Sequence, residues 1–85
     1  MTQIINEEIN VNAFYFRNRE GLKSFPRQIE WNGQFITFVE SGLRLLVQSG
    51  QMLAELFDMN GADGQTYRLR HEADNWTLVG IKGAN

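Results

Sequence analysis

At 85 residues the chain is long enough for one domain, yet so short that folding buries only about 60–65% of the surface its unfolded form exposes. It has no cysteine and a single histidine, His71, which excludes disulfides, thiolate zinc sites and thiol catalysis and argues against an imidazole metal site. A net charge of −2, with 42% apolar and 12% aromatic residues, describes a folding chain without a general pull toward nucleic acid or anionic membrane.

Residues 1–8 carry little patterning and are expected to form a loose tail, so that the domain proper is 9–85. Residues 1–12 lack the basic and apolar regions of a signal peptide. No apolar run approaches the ~20 residues of a membrane span. The expected address is therefore the cytoplasm, with no membrane partner. Residues 9–16 alternate loosely and are strongly aromatic, which predicts a strand. Residues 17–25 are polar and charged around Gly21 and read as a loop. Phe25-Pro26 then fixes an extended backbone, because the residue before proline avoids the helical region.

From Arg27 onward, short runs alternate with turn signals, the pattern of an antiparallel meander. Asn32-Gly33 is the strongest hairpin signal. It pairs Trp31 with Gln34, Glu30 with Phe35, Ile29 with Ile36 and Gln28 with Thr37, and collects Ile29, Trp31, Ile36 and Phe38 on one face. Ser49-Gly50 predicts a second hairpin, pairing Val47 with Met52, Leu46 with Leu53 and Arg44 with Glu55. Residues 51–59 also contain good helix formers, so helix and strand compete there. The strand is preferred because it brings Arg44 opposite Glu55. A last hairpin, through residues 72–75, sets Leu69 against Leu78, His71 against Trp76 and Tyr67 against Gly80.

The fold class expected is mostly β, with five or six antiparallel strands in a meander, forming a strongly bent sheet or small open barrel. The expected core is Ile29, Trp31, Ile36, Phe38, Leu43, Leu45, Val47, Met52, Leu56, Leu69, Trp76 and Leu78, with some of Phe14, Phe16 and Tyr67. Phe35, Val39, Leu46, Leu53, Val79 and Ile81 are left on the opposite faces. A single sheet with a solvated face has no use for them. Either the sheet closes on itself or one face meets a partner.

Motifs that carry chemistry are few. The oxygen-rich loop 58–64 fails the calcium-binding template, with Asp63 where glycine is required and Leu69 where a bidentate carboxylate is required, so it reads as a turn. His71 lacks a nucleophile motif or second histidine and reads as a strand-end residue beside Trp76. Gly61 and Gly64 are too closely spaced for a phosphate-binding loop, and Glu7-Glu8 lies in the expected tail. Asn75-Trp76-Thr77 matches a glycosylation acceptor by coincidence of composition. No catalytic, cofactor or metal residue is expected, and the chain does not read as an enzyme.

One constellation mixes aromatics with positive charge. Tyr15, Arg17, Arg19, Lys23 and Arg27, flanked by Phe14 and Phe16, form a candidate nucleic-acid patch, and Arg68 and Arg70 add charge on one strand face. Aromatics stack bases and arginines hold phosphates in single-strand binders. Against this, the aromatics also suit a core and the arginines a solvated loop, and the chain is acidic overall.

The run Pro26-Arg27-Gln28-Ile29-Glu30-Trp31-Asn32-Gly33 resembles the first hairpin of small uncharacterised bacterial β domains carrying Pro-Arg-X-(Phe/Ile)-X-Trp-X-Gly. The resemblance implies a bacterial, cytoplasmic β domain and carries no functional residue. The function expected is a non-catalytic module for protein interaction or self-association, its partner an unknown protein or its own copy. The alternative is weak single-stranded nucleic-acid binding.

Overall fold

A computed structural model describes residues 2–16 and 24–83. Six strands follow in chain order: β1 (Thr2–Phe16), β2 (Ser24–Trp31), β3 (Gln34–Ser49), β4 (Met52–Gly61), β5 (Thr66–Glu72) and β6 (Asn75–Lys82). Each pairs antiparallel with the next, and β6 returns to β1, so the meander closes into a barrel. The fold class read from the sequence is the one found. No helix among the described residues is long and apolar enough to cross a membrane.

Closure depends on two long, bent strands. β1 pairs with β6 through its first half and with β2 through its second, with register shifts between Val11 and Phe14 at the bend. β3 pairs with β2 only through Gln34 to Thr37 and with β4 from Phe38 to Ser49. Its register slips between Phe38 and Gly42, where extra residues let the strand turn the corner from one partner to the other. Pro26 sits on β2 below the last β2–β3 pair, where the missing N–H costs no ladder bond on that side.

Three details of the strands and their pairing differ from the sequence reading. Residues 2–8, expected as a loose tail, are the first half of β1, paired from Thr2 opposite Lys82. A bulge hides this strand in the sequence. Ile5 and Asn6 together face the single residue Val79, and Asn6 takes φ 55°, so the alternation of side chains breaks where it would have been recognised. The second hairpin turns at Gly50-Gln51, not Ser49-Gly50, so that Ser49 pairs with Met52 and Leu45 with Leu56. Gly50 has φ 63° while Gln51 does not leave the negative range, the arrangement of a turn that needs glycine at its first central position. Third, Val79 is an extra residue opposite β5, so Tyr67 pairs with Ile81 and Gly80 with Arg68. That slip turns Ile81 into the core, where the unbulged register had it facing out.

The first hairpin has the register read from Asn32-Gly33, with φ values of 53° and 73° at its two turn residues. The interior is built from Ile9, Ile29, Phe38, Phe57, Met59, Tyr67, Leu69, Leu78 and Ile81, with Val11, Phe25, Trp31, Ile36 and Trp76 packed around them. Leu43, Leu45, Val47 and Met52, expected in the core, are instead exposed. Their face of the hairpin is real, but it points away from the barrel, while Phe57 and Met59 on the other face fill the inside.

Gly80 marks a close backbone approach between β6 and β1. A methyl group placed on it would lie 2.8 Å from the backbone carbonyl oxygen of Gln3, which cannot swing aside as a side chain could. Gly80→Ala is expected to cost about 1–3 kcal/mol, the usual penalty of overpacking. In a domain of this size that corresponds to a melting point lower by ~4–8 °C for each kcal/mol. An unchanged melting curve would show that β1 does not press on β6 at this point.

Candidate functional site

The patch expected from the sequence is only partly observable. Arg17, Arg19 and Lys23 lie outside the described residues. Tyr15 and Arg27 are brought together across β1 and β2, with the guanidinium carbon 5.5 Å from the ring centroid. The Tyr15 hydroxyl donates to the Phe38 carbonyl at 2.8 Å. Each polar end of this pair is thus already employed, and a base stacking on Tyr15 would compete with Arg27 for the ring.

The other two arginines are held by carboxylates. Arg68 donates to both oxygens of Asp58, each at 2.7 Å, and these hydrogen bonds, outweighing burial, hold the Asp58 carboxyl below its usual range. Arg70 lies 3.8 Å from Glu72. Of the oxygen-rich run 58–64, expected as a turn, residues 58–61 belong to β4 and the turn that follows is closed by its own donors. Gly61 N–H donates to Gln65 O at 2.7 Å, and Asp63 accepts from the Gln65 amide at 3.0 Å and from the Tyr67 hydroxyl at 2.5 Å.

His71 stacks on Trp76, with centroids 4.3 Å apart and planes 13° from parallel. Its Nδ1 is 2.9 Å from Glu55 Oε1, and Glu55 Oε2 accepts from Arg44 Nε at 2.7 Å and also from Nη2. Burial alone would raise the Glu55 carboxyl, but hydrogen bonds from His71 and Arg44 and the nearby positive charge leave it lowered. The Arg44–Glu55 pair foreseen from the sequence therefore exists. It runs diagonally, since Arg44 is opposite Phe57 and Glu55 opposite Leu46 in the true register. This network ties the base of the β3–β4 hairpin to β5 and β6.

Beyond that base the hairpin continues as an arm. Pairing between β4 and β5 ends at Glu55, and pairing between β2 and β3 ends at Thr37, yet β3 and β4 stay paired out to Ser49 and Met52. Leu43, Leu45 and Val47 are exposed on its outer face with Met52, and Leu46 and Leu53 on the other, with between 44% and 64% of each side chain in solvent. Among the described residues no strand lies against the second edge of β3 past Thr37. Strand pairing alternates, and the two-residue turn makes Ser49 and Met52 a hydrogen-bonded pair. The N–H and C=O groups of Gly42, Arg44, Leu46 and Gln48 consequently point to the open edge. At the foot of the arm, Leu43 and Ile4 flank a concavity of about 660 Å³ that also includes Asp58, Arg68 and Lys82.

Sequence reasoning placed Leu43, Leu45, Val47 and Met52 inside and left Leu46 and Leu53 on the opposite face, and so missed the arm as a surface. The signal was present in the apolar residues on both faces: Leu46 and Leu53 alternate with Leu45 and Met52, more than one sheet face can absorb. Taken together, fold and site define a closed six-stranded antiparallel barrel bearing an apolar hairpin arm. Comparison with protein-family models, with curated proteins and with solved structures finds no match.

Proposed function

We propose that this domain is a non-catalytic protein-interaction module that docks through the β3–β4 arm. The observation that carries the reading is the concentration of exposed Leu43, Leu45, Leu46, Val47, Met52 and Leu53 on one hairpin. The four on the outer face, Leu43, Leu45, Val47 and Met52, expose on the order of 400 Å² of apolar area, within the range of the largest patch on a typical monomer, a size often tied to function. These residues add little to the barrel's own packing, so burial against a partner is what they have to offer. The cytoplasmic, bacterial setting suggested by the sequence belongs to the same proposal.

Nucleic-acid binding has less support. Tyr15 is covered by Arg27, and Arg68 and Arg70 face carboxylates, which leaves fewer free groups for phosphates than the sequence suggested.

Replacing Leu45, Val47, Met52 and Leu53 together by threonine tests the docking surface. Exposed substitutions usually shift stability within ±0.5 kcal/mol each, so the variant is expected to melt close to the parent. It is expected to lose the association that the parent shows in quantitative capture from native lysate. A folded variant that captures the same proteins in the same amounts would remove the arm from the function.

A further inference from the structure

We propose that the arm's partner is a second copy of this chain, joined through the open edge of β3 in an antiparallel β3–β3 pair about a twofold axis at Leu46. The inference rests on the arm being a docking surface and names what docks.

Two observations support it. First, the edge lacks the devices that keep edge strands apart. Between Gly42 and Ser49 there is no proline, no lysine and no register slip. Second, the strand complements itself. With Leu46 opposite Leu46 of the second copy, Leu45 faces Val47, and Arg44 faces Gln48. Arg44 carries the only charge in the stretch, and it is already paired with Glu55 on its own chain. A twofold at Arg44 would set like charges together, and one at Leu45 would set Arg44 against Leu46. The outward groups of Arg44, Leu46 and Gln48 all find partners in the Leu46-centred register, each facing pair exchanging two hydrogen bonds. The result is one sheet running through both barrels.

Sedimentation velocity over a dilution series reads the dimer directly. Leu46→Lys sets two ammonium groups opposite each other at the axis and is expected to weaken association at least tenfold while the monomer stays folded. The chain has no cysteine, so Gln51→Cys at the turn carries a single spin label. The two labels should lie about 30 Å apart: six residues of antiparallel strand separate the two Ser49 positions by about 20 Å, and a turn at each end adds the rest. A monomer at every concentration overturns the self-pairing. The interaction reading survives that result if threonine substitution of the arm still abolishes capture, and falls with it if capture is unchanged. A dimer indifferent to Leu46→Lys, or with labels far from that spacing, also overturns the β3 pairing.

Discussion

Phe57→Ala is expected to remove about 3–5 kcal/mol of stability, the range measured for truncating buried aromatic side chains. Phe57 is 2% exposed, and its ring meets Phe25 edge-on at 5.7 Å and Trp76 at 5.3 Å. It therefore joins β2, β4 and β6 at one point in the interior. At roughly 0.05–0.15 kcal/mol per residue, a domain this small has only about 4–13 kcal/mol in total. The substitution consumes a large share of that, and the melting point should fall by tens of degrees. Leu53 lies on the same face of β4, four residues earlier, but beyond the barrel and 57% exposed. Leu53→Ala should stay within about 0.5 kcal/mol. Urea denaturation of the two variants side by side is the measurement. Equal losses would mean that the arm folds onto the barrel and is part of its core.

The contrast between these residues also shows what the sequence could reveal. Asn32-Gly33 dictated both turn and register because its two positive φ values admit few other residues. The β5–β6 hairpin was legible near its turn, from Leu69–Leu78 to Glu72–Asn75, and became illegible at Val79, because a bulge leaves no mark in composition. Strand was preferred over helix for residues 51–59, and β4 is a strand. The pairing that motivated the choice was displaced, since Gly50 serves its turn at the first central position. That displacement moves each partner by two residues and so preserves which side chains share a face. What it could not reveal is which face looks inward. Leu43, Leu45 and Val47 are as apolar as Phe57 and Met59, and only the barrel's closure decides between them. Of the candidate nucleic-acid patch, Tyr15 and Arg27 do meet. The arm, assembled from residues that look like core, had no separate signature beyond an excess of apolar side chains.

Tyr67→Phe is expected to lower stability by about 1.5–3 kcal/mol near neutral pH, the worth of a hydrogen bond to a charged group, and to change the pH profile at both ends. Tyr67 is buried in the core, and its hydroxyl donates to the exposed Asp63 at 2.5 Å. Burial first, and then the hydrogen bond to Asp63 and its negative charge, push the phenol well above its ordinary value of 10.0. The folded chain therefore keeps a proton that the unfolded chain releases above pH 10. The stability linked to this group is complete below that pH and declines by about 1.4 kcal/mol per unit as pH rises further, toward the folded value. Asp63 behaves in the opposite sense. Burial works to raise its carboxyl, but hydrogen bonds from Tyr67 and Gln65 hold it below its ordinary 3.8. Its share is present above that value and is lost as the folded carboxylate takes up a proton in stronger acid. Phenylalanine cannot ionise and gives Asp63 no donor. The stability difference between parent and variant should thus be widest between about pH 5 and 10 and narrow on either side. Urea midpoints at pH 3, 7 and 11 measure the difference. A constant offset at all three would show that the Tyr67–Asp63 bond contributes packing alone.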